Sequence, residues 1–345
     1  MRIHARVATL VLAAAGLAAV VSPAAAQSGA DFFKGKTITY IVSTGPGGGH
    51  DYYGRVMARA LERQLTGATV VVKNVPGAGH IVGANQIYAA RADGLTIGTF
   101  STGLNYAQIV GQSAIKFDLT RMSWIGKQAT DTRVLYMSGA SPYKTWDDVV
   151  KSPRQIRLAS SGVGSGSHNE AYMVGKAFDL NVRVYPGYQG AEAIMGMLRG
   201  EVDGRVGGLT SQQEESAGTA GTDRDDGAIV LQFGDPDLKD IPDGVKLAQT
   251  PIAKAIAAMM VAEGQLYRVL VGPPDIPADR LGALRTAFRN AMLSNEYRDE
   301  LETGKRPYDK TPLPAEEVHK MALDMINISP EMKKMLQDIM AEDKK

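Results

Sequence analysis

The chain has 345 residues, with 38 basic and 37 acidic side chains and a net charge of +1, so its charge balance suits neither a nucleic acid nor an acidic membrane surface. It has no cysteine, which excludes disulfides, thiolate metal ligands and a cysteine nucleophile. The length exceeds what one hydrophobic core fills comfortably and suits two domains.

The first element is a targeting signal. Arg2 and Arg6 precede an apolar run from Val7 to Val21, Ser22-Pro23 breaks it, and Ala24-Ala25-Ala26 offers small residues for a leader peptidase. The run is shorter than the roughly 20 residues a bilayer-spanning helix needs. Residues 1–26 are therefore expected to be a cleaved signal peptide, and the mature chain a periplasmic protein starting at Gln27.

Strand and helix patterns then alternate. Residues 37–43 are β-branched and apolar, GPGGG follows at 45–49, and 50–65 carry apolar residues at helical spacing. A strand at 69–73, a turn at 74–79, a helix at 81–91 and a strand at 95–100 complete a βαβαβ unit, the pattern of a parallel sheet with covering helices. The grammar repeats. Strands are expected at 133–138 and 156–160, then a glycine- and serine-rich loop at 160–167 and a helix at 168–179. A strand at 182–185, a helix at 191–198 and strands at 202–206 and 228–233 follow. The polar stretch 214–227 reads as a surface loop. After a strand at 268–271, helices dominate at 278–293, 296–303, 315–326 and 330–342. This gives two similar α/β lobes, with residues 31–131 plus 254–345 in the first and 132–253 in the second. Crossings between them are expected near 130–133 and 250–256.

Two loops carry the chemistry. In GPGGGHD, glycines let the backbone approach a ligand, and the helix that follows presents unpaired N–H groups and a partial positive charge. Gly47, Gly48, Gly49, His50, Asp51 and Tyr52 are the candidates there. SSGVGSGSH also joins a strand to a helix. Its backbone and hydroxyls at Ser160, Ser161, Gly162, Gly164, Ser165, Gly166, Ser167 and His168 suit the oxygens of an anion. Parallel sheets bind ligands beyond the carboxyl ends of their strands, so both loops are expected to face one cleft. Ser101, Thr102, Tyr188 and Asp203, at further strand ends, complete the candidate ligand-binding set. No catalytic residue, metal site or cofactor is expected. There is no G-x-S-x-G and no H-E-x-x-H. Gly45 and Gly47 give the G-x-G of a dinucleotide site, but Tyr52-Tyr53 stand near the third glycine's place and Lys73-Asn74 where an acid should hold the ribose. A three-histidine site from His50, His80 and His168 is conceivable on spacing alone.

The ordered series KTITYIVSTGPGGGHDYYGRVMARAL, VVVKNVPGAGHIVGANQIYAARADG, LASSGVGSGSH and YPGYQGAEAIMGMLRGEVD resembles the substrate-binding proteins of tripartite tricarboxylate transporters, the TctC or Bug family. The resemblance implies two Rossmann-like lobes joined by hinge crossings, the type II Venus-flytrap architecture of periplasmic binding proteins. It also implies a carboxylate held by residues 47–51 and 160–168, with a membrane permease as partner and a monomeric receptor. The loop departs from the family pattern at His50, Tyr52 and Tyr53, which argues against a citrate-like ligand. Two other readings stay open: an exported hydrolase or isomerase using Asp51, His50 or His168, and a ligand sensor for a membrane signalling partner.

Overall fold

The computed structural model describes residues 29–216 and 226–342. The expected leader and most of the stretch 214–227 lie outside the described residues. The first half of the chain builds β1 (Thr37–Val42), α1 (Gly49–Gln64), β2 (Thr69–Asn74), α2 (Ile81–Tyr88), β3 (Thr96–Thr99), α3 (Leu104–Ile109) and β4 (Ser123–Ala129). Then come β5 (Arg133–Met137), α4 (Trp146–Val150), β6 (Ile156–Ser160), α5 (Gly166–Ala177), β7 (Val182–Pro186), α6 (Ala191–Leu198), β8 (Gly204–Gly208), α7 (Leu209–Ser216) and β9 (Ala228–Gln232). The remainder forms α8 (Gly244–Leu247), α9 (Pro251–Gln265), β10 (Tyr267–Gly272), α10 (Ala278–Leu293), α11 (Asn295–Thr303), α12 (Ala315–Ile326) and α13 (Pro330–Glu342).

The strands form two five-stranded sheets, in the orders β2-β1-β3-β10-β4 and β7-β6-β8-β5-β9. Each has three parallel strands on one side and two antiparallel additions on the other. This parallel topology needs helical crossovers, and α1 shows why the sequence supplies one. Tyr53, Val56, Met57, Ala60 and Leu61 recur at helical spacing and are buried against the sheet together with Phe288 and Met292 of α10. The opposite face of the first sheet is covered by α2, α3 and α12 through Ile87, Leu104 and Val318. The second sheet buries one face under α5 and α9 and the other under α6.

The crossings sit side by side. β4 ends at Ala129 opposite Tyr267, and the Asp131 N–H donates to the Gly264 carbonyl (2.9 Å). The first connection between the two sheets runs from β4 to β5 through residues 130–132. The second lies at 265–267, beyond the expected 250–256. The reason is α9, whose Ala253, Ile256, Ala257 and Met260 belong to the second half's core. Thr250 caps this helix by accepting from the Ala253 N–H (3.1 Å), and Pro251 opens it. The final helix also departs from expectation, because Leu336 of α13 packs in the second core while α10 to α12 return to the first. Strand β4 has no clear sequence pattern. Its Lys127 pairs with Asp309, and its Gln128 accepts from the Tyr297 hydroxyl (3.1 Å), so a polar-looking segment is wholly buried.

Candidate ligand-binding site

The geometry starts at the carboxyl ends of β1, β3, β6 and β8, which share the edge where the chain crosses between halves. The loop after β1 turns at Gly47, with φ of +92°. A methyl on Gly45, Gly47 or Gly48 would meet nothing within 4 Å, so this stretch of backbone is open. Asp51 holds it in shape, accepting from the Gly47 N–H (2.9 Å), Asn74 Nδ2 (2.8 Å) and Arg55 Nε (2.9 Å). Burial acts to raise the Asp51 pKa, but the hydrogen bonds from Arg55, Gly47 and Asn74 outweigh it and hold the carboxyl below its ordinary value. Asp51 is thus a brace for the loop. Close packing of this helix on its strand comes at Gly54, where a methyl would meet Val42 Cγ2 at 2.7 Å.

The neighbours of Asp51 divide. Tyr52 turns to the helices of its own half, donating to the Glu300 carbonyl (2.8 Å) under the Arg306 guanidinium. The His50 ring faces the His80 ring edge-on at 5.0 Å and lies 6.4 Å from the Tyr267 ring. His80 belongs to the turn 77–80, where Gly77, Ala78, Gly79 and His80 all have positive φ. Ala78 and His80 there cost about 1–2 kcal/mol each as L-residues in left-handed backbone. His80 Nδ1 accepts from the Ser101 N–H (3.3 Å), which fixes a neutral ring. Burial, with the charge of Arg268, drops the His80 pKa to about 4. His50 is pushed well below its ordinary value by burial first and then by Arg268, His80 and Arg133.

The loop after β6 is organised by its own hydroxyls. Ser165 Oγ accepts from the His168 N–H (3.2 Å) and caps α5. Ser167 Oγ accepts from the Ser161 N–H (3.1 Å) and lies 3.3 and 3.2 Å from the Ser161 and Ser165 hydroxyls. Ser160 donates to the Tyr185 carbonyl (3.4 Å), and the His168 ring packs edge-on to Tyr172.

What joins the two loops is the turn 77–80. A methyl on Gly79 would lie 2.9 Å from Ser165 Cα, and one on Gly162 would lie 3.2 Å from the Gly79 nitrogen. Beside this contact, a methyl on Gly166 would reach Gly103 Cα at 3.0 Å and Ser101 Oγ at 3.1 Å. The backbones of the two halves therefore meet at glycines. Thr102, buried next to this contact, accepts the Asn105 N–H on its carbonyl.

Asp203 lies elsewhere, and the Tyr188 side chain turns away although its N–H donates to the Ser160 carbonyl of the second loop (2.9 Å). Asp203 precedes β8, at the amino end of the sheet, where Arg154 and Arg157 pair with it at 2.9 and 2.8 Å. The Tyr188 hydroxyl donates to Glu201 (3.0 Å), and its ring packs on Gly196. His50 and His80 meet, but among the described residues no group of three or more His, Asp or Glu is arranged to hold a metal ion. No helix among them is long and apolar enough to cross a membrane.

The floor between the crossings holds charges that sequence reasoning missed. Arg133 pairs with the buried Glu170 and lies 4.0 Å from Glu263. Burial, then the adjacent Glu170 carboxylate, pushes the Glu263 pKa up, to about 8, against the pull of Arg133. Arg268, with φ of +54°, donates from Nη2 to Ser211 Oγ of the second half (3.0 Å). Its guanidinium lies 4.3 Å from the Tyr267 ring centre and 5.1 Å from that of Tyr53. The only advance signal was their position at the ends of the connecting segments.

Residues 54–218 match the family described as the tripartite tricarboxylate transporter family receptor, TctC. A UPF0065 protein of Pseudomonas sp. (strain P51) is 29% identical over 213 residues, 59% of this chain and 61% of that protein. BugT of Bordetella pertussis is 27% identical over 206 residues, 56% of this chain and 61% of that protein. The matches thus span about three fifths of these relatives' length. Among solved structures, the periplasmic binding protein BugD superposes with a TM-score of 0.68 at 19% identity, covering 88% of this chain and 97% of that one. MatC from Rhodopseudomonas palustris with bound malate gives 0.65 at 17%, covering 88% and 99%. An R. palustris protein with adipate gives 0.67 at 17%, covering 89% and 97%. The fold is that of the type II periplasmic binding proteins, and residues 54–218 carry the match to the tripartite tricarboxylate transporter receptor family.

Proposed function

We propose that the chain is an exported, monomeric receptor that captures a small organic carboxylate between its halves and delivers it to the membrane permease of a tripartite tricarboxylate-type transporter. The observation that carries this reading is the meeting of the strand-end loops of both halves at Gly79–Ser165 and Gly103–Gly166, beside the starts of α1 and α5. N–H groups at helix starts favour an anion, and glycines let it approach the backbone closely. The acid rests on residues 47–50 and 161–167. Asp51, Ser165 and Ser167 shape those surfaces, and the halves close over the ligand, which shifts the population toward the closed form. Malate in MatC and adipate in the R. palustris protein support a carboxylate as ligand. In this reading the chain binds its ligand and releases it unchanged.

The test is titration calorimetry of the mature chain with malate, adipate, citrate and their monocarboxylic analogues. Saturable binding of at least one acid, with a matching rise in melting temperature, is the expected result. Indifference to the whole panel would remove the reading.

A further inference from the structure

An acid pair lies buried where the halves meet. Glu170 of α5 and Glu263 of α9 are almost wholly shielded from solvent, and one guanidinium serves both. Arg133 pairs with Glu170 Oε2 and stands 4.0 Å from Glu263 Oε1. The other two oxygens, Glu170 Oε1 and Glu263 Oε2, are buried without a hydrogen-bond partner. The two carboxyl groups lie within hydrogen-bonding reach of each other, yet ionised carboxylates only accept. A carboxyl proton is the donor that fits. Carried by one acid and held toward the other, it removes one of two like charges and satisfies an orphaned oxygen.

The groups around the pair leave its excess charge in place. Tyr106 of α3 faces it from the first half, and burial and then the two carboxylates keep that hydroxyl neutral. Tyr267 of β10, near Arg133, is also held neutral by burial. Asp131, on the connection before β5, is one more acid beside Arg133, with the Thr210 N–H (3.0 Å) and hydroxyl (2.9 Å) on its carboxylate. Arg268 acts on Asp131 and on the neutral His50. Helices α12 and α13, packed on α9 and α5, carry exposed pairs of their own, Lys320–Asp324 and Lys334–Asp338.

The pair also sits on the moving seam. Glu263 Oε1 would lie 3.0 Å from a methyl on Gly103, and Glu170 Oε1 3.1 Å from one on Gly166, and these glycines are the backbone contact between the halves. Parting them hydrates both acids, which then ionise at neutral pH, and closing them excludes that water. We propose that closure takes up a proton on the Glu170–Glu263 pair, so that the receptor binds its acid together with a proton. The proton becomes a second ligand, a role that rests on the carboxylate reading above.

The test is calorimetry of the mature chain with malate, adipate, citrate and their monocarboxylic analogues at pH 7.5, in HEPES and in Tris. These buffers differ in ionisation enthalpy, so the difference in heat gives the protons taken up per ligand bound. At this pH the free acids are ionised and the histidines are neutral, open or closed. The parent is expected to take up about 0.5–1 proton per ligand, and its affinity to fall about fivefold or more from pH 7 to pH 9. Glu263→Gln is expected to abolish the uptake and level the affinity over that range. Binding by the parent without proton uptake, or parent-like uptake in Glu263→Gln, overturns the proposal and leaves the carboxylate reading intact. Binding of none of the acids overturns both. The parent's proton number needs no variant, so it decides alone if Glu263→Gln does not fold.

Discussion

Closure of the halves should be blocked by a single methyl at Gly103. This residue has φ −58° and ψ −9°, so alanine fits its backbone without strain, and it opens α3 in the first half. The obstacle comes from the other half. A methyl at 103 would sit less than 3.0 Å from Gly166 Cα and 3.0 Å from Glu263 Oε1, where ordinary contact is 3.4–4 Å. Gly166 Cα is backbone and cannot rotate away, so the halves must part by about 1 Å at this point, with an overpacking cost of about 1–3 kcal/mol. That cost falls on the closed form and lowers the binding-competent fraction, which weakens affinity by about 5- to 150-fold. The opened form escapes the clash, so the melting temperature without ligand should stay within about 2 °C of the parent. Calorimetry with whichever acid binds the parent reads the first quantity and a thermal scan the second. Gly207→Ala, where a methyl meets nothing within 4 Å, serves as control. Parent-like affinity in Gly103→Ala would refute the idea that these glycines gate closure.

Three further outcomes follow from the same geometry. Glu263 has its folded-state pKa raised from 4.5 to about 8, so its contribution to stability is full below pH 4.5 and is lost as pH rises through about 8. The melting temperature of the parent should fall across that window, and Glu263→Gln should flatten the slope. Asp51→Ala removes the acceptor for Gly47, Asn74 and Arg55 and should cost about 2–3 kcal/mol in urea unfolding, with weaker ligand binding because the loop slackens. Asp203→Ala should also lower stability, by breaking its pairs with Arg154 and Arg157, yet leave ligand affinity within about twofold because it sits at the far end of its sheet.

Much of the architecture was legible because its signals are local. The helices at 278–293, 315–326 and 330–342 have the expected bounds, and the strands lie within one or two residues of theirs. Periodicity fixes such elements before any tertiary contact forms. Strand β4 was illegible because Lys127 and Gln128 are satisfied by Asp309 and Tyr297, which lie far along the chain. The same limit governs the site. Glycine loops announce themselves by composition, but Asp51 reads identically as a ligand-binding acid and as a brace, and only Asn74 and Arg55 at its carboxylate distinguish the two. Arg268 had no motif to mark it. Its buried Nε without a hydrogen-bond partner and its left-handed φ are both properties of the folded chain.

Glycine contacts above and charged groups below assign different tasks to two layers of the cleft. At 79, 103, 162 and 166 small residues bring backbone against backbone, which makes closure sensitive to shape. Beneath them, Arg133, Glu170 and Glu263 lie within one buried cluster, with Glu170 Oε1 3.1 Å from a methyl placed on Gly166 and Glu263 Oε1 3.0 Å from one placed on Gly103. Two carboxylates against one guanidinium would leave an excess negative charge in a dry interior, where it would oppose an incoming anion. A protonated Glu263 removes that excess, and the neutral rings of His50 and His80 add none. Arg268 then lies on the side that faces the first loop, with the buried Asp131 in its electrostatic surroundings. Shape and charge thus act together only when the halves meet, because parting Gly103 from Gly166 admits water to the acid pair and screens the field that draws the ligand in.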